Sequence, residues 1–207
     1  MPVPDKALHG TQLHGAVLCG GAGTRVHGAD KPLLDWRGHP LIASVVTRLR
    51  PQVDQLWISA NRNQARYAAY GTVVEDDSRW RTTGPDPTAT PSWLGPLAGV
   101  ASVARRIAAN DQACELLIVP GDAPLLPTEL AVRLALNGMS ARYATTAAGP
   151  QPLHLRLTLT AALSVESYLT EGGRSVRGWL DRLRAEPVRF DDEQAFSNLN
   201  TPAAFEE

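Results

Sequence analysis

Short apolar runs alternate with amphipathic stretches along most of the chain. The apolar runs predict buried strands, at residues 16–19, 53–60, 72–75, 114–119, 142–147 and 153–159. The amphipathic stretches predict helices, at residues 40–49, 61–70, 97–107, 127–137, 162–169 and 176–183, with a further helix start at Thr201 and Pro202. This rhythm predicts an α/β fold, a Rossmann-like and mostly parallel twisted sheet with helices on both faces.

The length of 207 residues fits one domain, which we place at residues 15–207 after a flexible N-terminus at 1–14. Residues 78–94 have no usable periodicity, which is typical of a lid or a disordered segment. The net charge of −1 gives no overall positive field for nucleic acid or an anionic membrane. No apolar run approaches the roughly 18 residues of a membrane span, and the polar N-terminus lacks a signal peptide's apolar centre. These features predict a cytoplasmic protein.

The two cysteines, Cys19 and Cys114, lie far apart in the sequence. Their separation excludes a disulfide framework and a cysteine zinc site as organising features. The five histidines show no metal-ligand spacing, and the chain has no nucleophilic serine elbow.

In parallel sheets ligands bind beyond the carboxyl ends of the strands, and three predicted strand ends carry candidate chemistry. The first strand runs into glycines at 20, 21 and 23, where bare amides can converge on a phosphate that Arg25 and Lys31 would neutralise. The plain alternative is a glycine-rich turn between strand and helix. The pattern fits neither a Walker A loop nor a dinucleotide fingerprint, because Lys31 follows Asp30 and Val26 replaces the third glycine.

Two acidic residues mark the other strand ends. Asp122 follows the most convincing buried strand, where a carboxylate could hold Mg²⁺ or simply form a turn between two prolines. Asp76 ends another strand and would either reach the same crevice or begin a loop. Asn61, taken alone, is interpreted as a helix N-cap.

Taken together, eight motifs occur in one order and resemble the molybdenum cofactor guanylyltransferase (MobA) family, within the nucleotidyltransferase superfamily, over residues 15–205. They are Leu-Cys-Gly-Gly-Ala-Gly-Thr-Arg (18–25), Asp-Lys-Pro-Leu-Leu (30–34), Ser-Ala-Asn-Arg-Asn (59–63), Gly-Pro-Leu-Ala-Gly (95–99), Pro-Gly-Asp-Ala-Pro (120–124), Gln-Pro-Leu (151–153), Gly-Gly-Arg-Ser-Val-Arg (172–177) and Phe-Ser-Asn-Leu-Asn-Thr-Pro (196–202). The resemblance implies a nucleotide-diphospho-sugar transferase type of fold, with a nucleotide-binding half at about 15–125 and an acceptor half at about 126–207.

The resemblance also implies a reaction, in which GMP passes from Mg·GTP to molybdopterin and pyrophosphate is released. It assigns nucleotide binding to Leu18, Cys19, Gly20, Gly21, Lys31, Asn61, Asp76 and Asp122. It assigns Mg²⁺ to Asp122, and catalysis to Asp122 with Arg25 and Lys31. Acceptor-binding candidates are Gln151, Pro152, Arg174, Ser175, Asn198 and Asn200. The implied partners are GTP and molybdopterin, with transient contacts to cofactor-biosynthesis or acceptor enzymes.

The chain departs from the family pattern at four places. Cys19 stands where the family shows alanine in Leu-Ala-Gly-Gly, and Gly121 stands where it shows cysteine in Pro-Cys-Asp. The family's Arg-Met-Gly-Gly appears as Arg-Val-His-Gly at 25–28, and the loop between Asp76 and Gly95 is longer. Two alternatives remain open. One is a cytidylyltransferase for the same cofactor, or another small-molecule nucleotidyltransferase, although Gly20-Gly21 favours guanine over the Leu-Ala-Ala-Gly of the cytidylyl relatives. The other is a catalytically silent protein that binds nucleotide or cofactor.

Overall fold

The computed structural model describes residues 11–20, 30–82, 92–111 and 113–197. Its strands, in chain order, are β1 (Gln12–Leu18), β2 (Asp35–Trp36), β3 (His39–Pro40), β4 (Gln55–Ser59), β5 (Thr72–Val74), β6 (Arg81–Thr82), β7 (Ser92–Trp93), β8 (Cys114–Pro120), β9 (Ala141–Thr146), β10 (Gly149–Thr158) and β11 (Glu186–Arg189). Its α-helices are α1 (Leu41–Leu49), α2 (Gln64–Tyr67), α3 (Pro96–Ala108), α4 (Leu130–Arg133), α5 (Leu159–Leu163), α6 (Val165–Thr170) and α7 (Val176–Leu183).

Seven of these strands form one sheet in the order β11-β9-β10-β8-β1-β4-β5. The pairs β8–β1, β1–β4, β4–β5 and β9–β11 are parallel, and β10 is antiparallel to both of its neighbours. The predicted α/β class and mostly parallel sheet are therefore confirmed. The short strands β2–β3 and β6–β7 form two separate hairpins.

Each face of the sheet is covered by its own apolar layer, because side chains of a strand point alternately to the two faces. On one face, α3, α5, α6 and α7 pack with Trp57, Leu116 and Ile118. On the other, α1, α2 and α4 pack with Val17, Leu117 and Val119. Alternate residues of β8 thus belong to different layers, so this strand lies buried at the centre of the molecule.

Several predicted boundaries were wrong. The first strand begins at Gln12, so Gln12, Leu13 and His14 lie in the sheet and not in a flexible N-terminus. The expected helices at 61–70 and 127–137 contain only the four-residue α2 and α4. The expected structureless stretch at 78–94 includes the β6–β7 pairing. The helix start at Thr201 lies outside the described residues.

Among the described residues, no helix has both the length and the apolar character needed to cross a membrane.

Candidate functional site

The parallel register aligns four strand ends at one edge of the sheet. Leu18 of β1 pairs with Ser59 of β4 on one side and Pro120 of β8 on the other, and Ser59 pairs in turn with Val74 of β5. Each strand therefore stops on the same line, and the residues that follow project from a common edge. This row explains how candidates scattered between residues 19 and 122 come to lie in one region.

Lys31 and Asp122 form the most direct contact at this edge. The Lys31 Nζ atom donates to Asp122 Oδ2 at 2.6 Å, although 91 residues separate them in the chain. Both side chains are only partly exposed, at 17% for Lys31 and 23% for Asp122. Lys31 is placed by the short 3₁₀ turn Lys31–Leu33, whose Pro32 and Leu33 are buried. An ion pair in this setting is more weakly screened by solvent than one on an open surface.

Main-chain hydrogen bonds continue past the strand ends. The Cys19 N–H donates to the Ser59 carbonyl at 2.9 Å, and the Gly121 N–H donates to the Leu18 carbonyl at 2.9 Å. The first turn after each strand is thus fixed to its neighbour. Asp122 consequently has little freedom to move away from the end of β1.

Asn61 and Asp76 form a second polar unit. The Asn61 amide donates to Asp76 Oδ2 at 2.9 Å, and its carbonyl oxygen accepts from the Asp76 N–H at 2.8 Å. Ser59 Oγ donates to the remaining carboxylate oxygen at 3.2 Å. Burial raises the pKa of Asp76, which is only 6% exposed, while the donors from Asn61 and Ser59 oppose that shift. The interpretation of Asn61 as a helix N-cap was wrong, because α2 begins after Asn63.

Gly20 connects this polar unit to the end of β1. A Cβ at Gly20 would lie 3.6 Å from Asn61 Nδ2 and 4.0 Å from Asp76 Oδ2. The exposed Gly20 backbone therefore lies directly beside the Asn61 amide. A ligand that contacts one of these groups would also meet the other.

Helix α3 packs against the same polar unit. The Asp77 N–H donates to Ser102 Oγ at 2.9 Å, which fixes the residue after Asp76 to the helix. A Cβ at Gly99 would lie 2.4 Å from Ser59 Oγ, so only glycine allows α3 to approach this closely. Ser59, Gly99 and Ser102 are supporting residues that the sequence reasoning missed. Two of them lie within the quoted motifs at 59–63 and 95–99, which offered a signal.

Cys19 lies beneath this edge with its thiol enclosed. The residue is 6% exposed, and burial, followed by the nearby charge of Asp30, raises the pKa of its thiol. Asp30 itself accepts from Asn63 Nδ2 at 3.0 Å. A thiol that stays protonated is a weak nucleophile, so Cys19 fits a packing role better than a reactive one.

Of the described acceptor candidates, Gln151 and Pro152 lie near the same edge, and Arg174 and Ser175 have local hydrogen-bond partners. Gln151 of β10 pairs with Ala144, two residues before the carboxyl end of β9, and Pro152 follows it. Arg174 donates to the Leu169 carbonyl at 2.8 Å. Ser175 caps α7, because its Oγ accepts from the Gly178 N–H at 3.3 Å.

One contact locates the C-terminal end of α7. Ser140, just before the start of β9, donates to the Leu183 carbonyl at 3.5 Å, so the C-terminal end of α7 lies at the opposite edge. The helix has eight residues and is about 12 Å long. Arg25, Gly21, Asn198 and Asn200 lie outside the described residues.

One group of three potential metal ligands occurs in the described part of the chain, at the far edge of the sheet. Ligand atoms of His14, Asp111 and Cys114 lie within 4.8 Å of one another. Trp57 Nε1 donates to His14 Nδ1 at 2.9 Å, so the ring proton resides on Nε2, which faces Asp111 Oδ2 at 3.2 Å. A metal on Nε2 would need that proton removed while Nδ1 also remains unprotonated, whereas ligating histidines normally donate from the second nitrogen. The cluster therefore fits a hydrogen-bond network and not a metal centre.

A mostly parallel sheet with glycines, a lysine and carboxylates at its carboxyl edge fits the class of nucleotidyltransferases. Solved structures of that type share the fold. Molybdopterin-guanine dinucleotide biosynthesis protein A from Archaeoglobus fulgidus superposes with a TM-score of 0.67 at 21% identity, covering 93% of this chain and 95% of that one. A nucleotidyl transferase from Methanothermobacter thermautotroptrophicus gives 0.64 at 19% identity, covering 95% of each chain.

The chain belongs to the family of MobA-like NTP transferase domains, whose family model matches residues 15–186. The molybdenum cofactor guanylyltransferase of Shewanella frigidimarina is 36% identical over 196 residues, with 92% of both chains covered. The protein of the same name from Polynucleobacter asymbioticus is 35% identical over 201 residues, again with 92% of both chains covered. The resemblance drawn from the motifs is therefore confirmed.

Proposed function

We propose that this protein transfers GMP from GTP to the terminal phosphate of molybdopterin, producing molybdopterin guanine dinucleotide and pyrophosphate. Two relatives named molybdenum cofactor guanylyltransferase match nearly the whole chain and support this activity. The observation that carries the proposal is the 2.6 Å contact between Lys31 and Asp122 at the carboxyl edge of the sheet. It brings together a cation for phosphates and a carboxylate for a metal ion beside the end of β1.

The reaction we propose is an in-line displacement at the α-phosphorus of GTP. A phosphate oxygen of the acceptor forms the new P–O bond as the bond to the leaving pyrophosphate breaks. Because a phosphate monoester is already anionic near neutral pH, the step needs no dedicated general base. Catalysis then consists mainly of aligning the two phosphates and neutralising their charge.

Asp122 fits the role of a Mg²⁺ ligand. Mg²⁺ binds through one or two carboxylates together with substrate phosphates, and Asp122 is a partly exposed carboxylate that already has a cation, the Lys31 ammonium, against one oxygen. Bound there, the metal ion would stabilise negative charge on the phosphate oxygens. Lys31 would then move its hydrogen bond from Asp122 to the phosphates, and Arg25 would add a second positive charge.

The polar unit at Asn61 and Asp76 would orient the nucleotide. Both carboxylate oxygens of Asp76 accept hydrogen bonds, so its effect on the ligand is to hold Asn61 in one orientation beside Gly20. Leu18, Cys19, Gly20 and Gly21 would supply the backbone that lines the site. We assign the acceptor side to Gln151, Pro152, Arg174, Ser175, Asn198 and Asn200.

Competition binding tests the choice of nucleotide. A fluorescent GTP analogue bound with Mg²⁺ should be displaced by GTP at a concentration at least about tenfold below that needed for CTP, a difference of roughly 1.4 kcal/mol. Asn61→Ala should weaken GTP binding, whereas Asn110→Ala, at an exposed position after α3, should leave it unchanged. Equal displacement by GTP and CTP would contradict the preference for guanine, and tighter binding of CTP would favour a cytidylyltransferase.

A further inference from the structure

Three segments of the candidate site meet at the Cα atom of Gly121. A Cβ built at this position would lie 2.8 Å from Cys19 Sγ, 3.1 Å from Pro32 Cγ and 3.2 Å from the Leu18 carbonyl oxygen. The first distance is shorter than real Cβ contacts reach, so a side chain at 121 would force its neighbours to move. The φ of Gly121 is not positive, which means that glycine is needed there for space and not for backbone conformation.

The sulfur of Cys19 fills the space that a side chain at 121 would otherwise occupy. Cys19 is only 6% exposed, so its sulfur is enclosed beside the Gly121 Cα atom.

The residues at this contact are chain neighbours of the charged pair. Pro32 directly follows Lys31, and Gly121 directly precedes Asp122. Because packed interiors resist compression, a change in separation between Pro32 and Gly121 would be transmitted to the 2.6 Å contact between Lys31 and Asp122.

We propose that Cys19 and Gly121 are positioning residues, which set the distance between Asp122 and Lys31 through direct packing on the Gly121 Cα atom. The inference rests on the proposed function, because its readouts are GTP turnover and its dependence on Mg²⁺. Neither residue needs to touch the substrate for this effect.

The test compares Gly121→Ala with two double variants, Cys19→Ala/Gly121→Ala and Cys19→Ala/Gly121→Cys. Gly121→Ala should lower kcat/KM for GTP about 10- to 100-fold and raise the Mg²⁺ concentration needed for half-maximal activity, since misplacement by about 1 Å has effects of that order. Its Tm should fall by roughly 3–10 °C from overpacking. Both double variants should recover most of the activity and the original Mg²⁺ dependence, because each removes the sulfur that the new side chain meets.

Cys114→Ala is the matched control, since it truncates the other buried cysteine at the far edge of the sheet. It should lower stability without changing the Mg²⁺ dependence. Additive effects in the double variants, or an unchanged Mg²⁺ dependence in Gly121→Ala, would overturn the inference. If the wild-type protein transfers no nucleotide at all, the proposed function fails and the positioning role falls with it. If the double variants recover Tm but not activity, residues 19 and 121 affect only packing, and the positioning role is excluded.

Discussion

Lys31 and Asp122 form one charged unit because two turns from distant parts of the chain are fixed at the same edge of the sheet. The Lys31 turn is anchored by buried Pro32 and Leu33, and the Asp122 turn by the hydrogen bond from Gly121 to Leu18. Neither residue reaches its position through local sequence alone. The distance between Lys31 and Asp122 is therefore set by the edge of the sheet.

Removal of either charge should reduce turnover strongly. Asp122→Asn and Lys31→Ala should each lower kcat for guanylyl transfer by about 10²-fold or more, because each removes an electrostatic stabiliser of the phosphate charges. Steady-state pyrophosphate release measures the effect. Asp191→Asn, at a side chain that is 94% exposed, is the control and should keep full activity. Near-normal turnover in a folded Asp122→Asn variant would show that Asp122 only forms a turn.

The charged residues of the site could be predicted from the sequence, whereas their hydrogen bonds could not. Asp76 and Asp122 were recognisable because they follow apolar runs that end abruptly, and ligands bind at such ends. Lys31 was recognisable because it follows the glycine-rich stretch that ends the first of these runs. The bond from Asn61 to Asp76 depends on the parallel register of β4 and β5, which no local pattern encodes. Considered alone, an asparagine before a helical stretch predicts a cap, and that prediction was wrong.

The segment that follows Asp122 shows how tertiary contacts override a helical pattern. Residues 127–137 have helical spacing, yet only Leu130–Arg133 is helical. Side chains from outside the segment donate hydrogen bonds to two of its carbonyls. Arg156 donates to the Ala131 carbonyl at 2.8 Å, and Arg142 donates to the Ala135 carbonyl at 2.6 Å. These carbonyls therefore have hydrogen-bond partners without a continuous helix, and the periodicity of the sequence does not reveal such partners.

Gln52 holds the same segment against α1. Its amide nitrogen donates to the carbonyls of Arg48 at 2.8 Å and Pro127 at 2.9 Å, and its carbonyl oxygen accepts from the Ala131 N–H at 2.9 Å. One side chain thus connects helix α1 to the segment that begins at Asp122.

Truncation of Gln52 should loosen that connection. Gln52→Ala leaves partly buried backbone groups without their partners and should lower the free energy of unfolding by roughly 1–3 kcal/mol. Urea denaturation monitored by tryptophan fluorescence measures this change. Gln55→Ala, at the exposed first residue of β4, should have almost no effect. Similar losses of unfolding free energy in the two variants would show that Gln52 does not hold this segment against α1.

At the scale of the whole molecule, the two apolar layers could be predicted and the place of β10 could not. Alternating strands and helices indicate a sheet covered on both faces, but they do not show that one strand runs antiparallel between two parallel groups. β10 carries the irregularity between Gln151 and Leu155. Within it, His154 is 2% exposed and packs edge-on against Phe196, with ring centres 4.9 Å apart.

His154 should make stability depend on pH. Burial lowers the pKa of His154 to about 3, against about 6.5 in an unfolded chain, so the unfolded state binds more protons between these values. The stability that neutral His154 contributes is therefore complete above about pH 6.5 and is lost as the pH falls toward 3. Between pH 7.5 and 5 the loss should be roughly 2 kcal/mol.

Urea denaturation at both pH values measures this loss. His154→Leu should flatten the dependence on pH, whereas His39→Leu, at an exposed histidine of the β2–β3 hairpin, should leave it unchanged. A dependence that persists in His154→Leu would assign the effect to another group.

Guanylyl transfer is tested most directly by pyrophosphate release with molybdopterin, Mg²⁺ and each of the four nucleoside triphosphates in turn. We expect release with GTP well above that with CTP, ATP or UTP, and its loss when either molybdopterin or Mg²⁺ is omitted. Comparable release with CTP, or binding of GTP with no release at all, would show that the protein is not a GTP-specific guanylyltransferase.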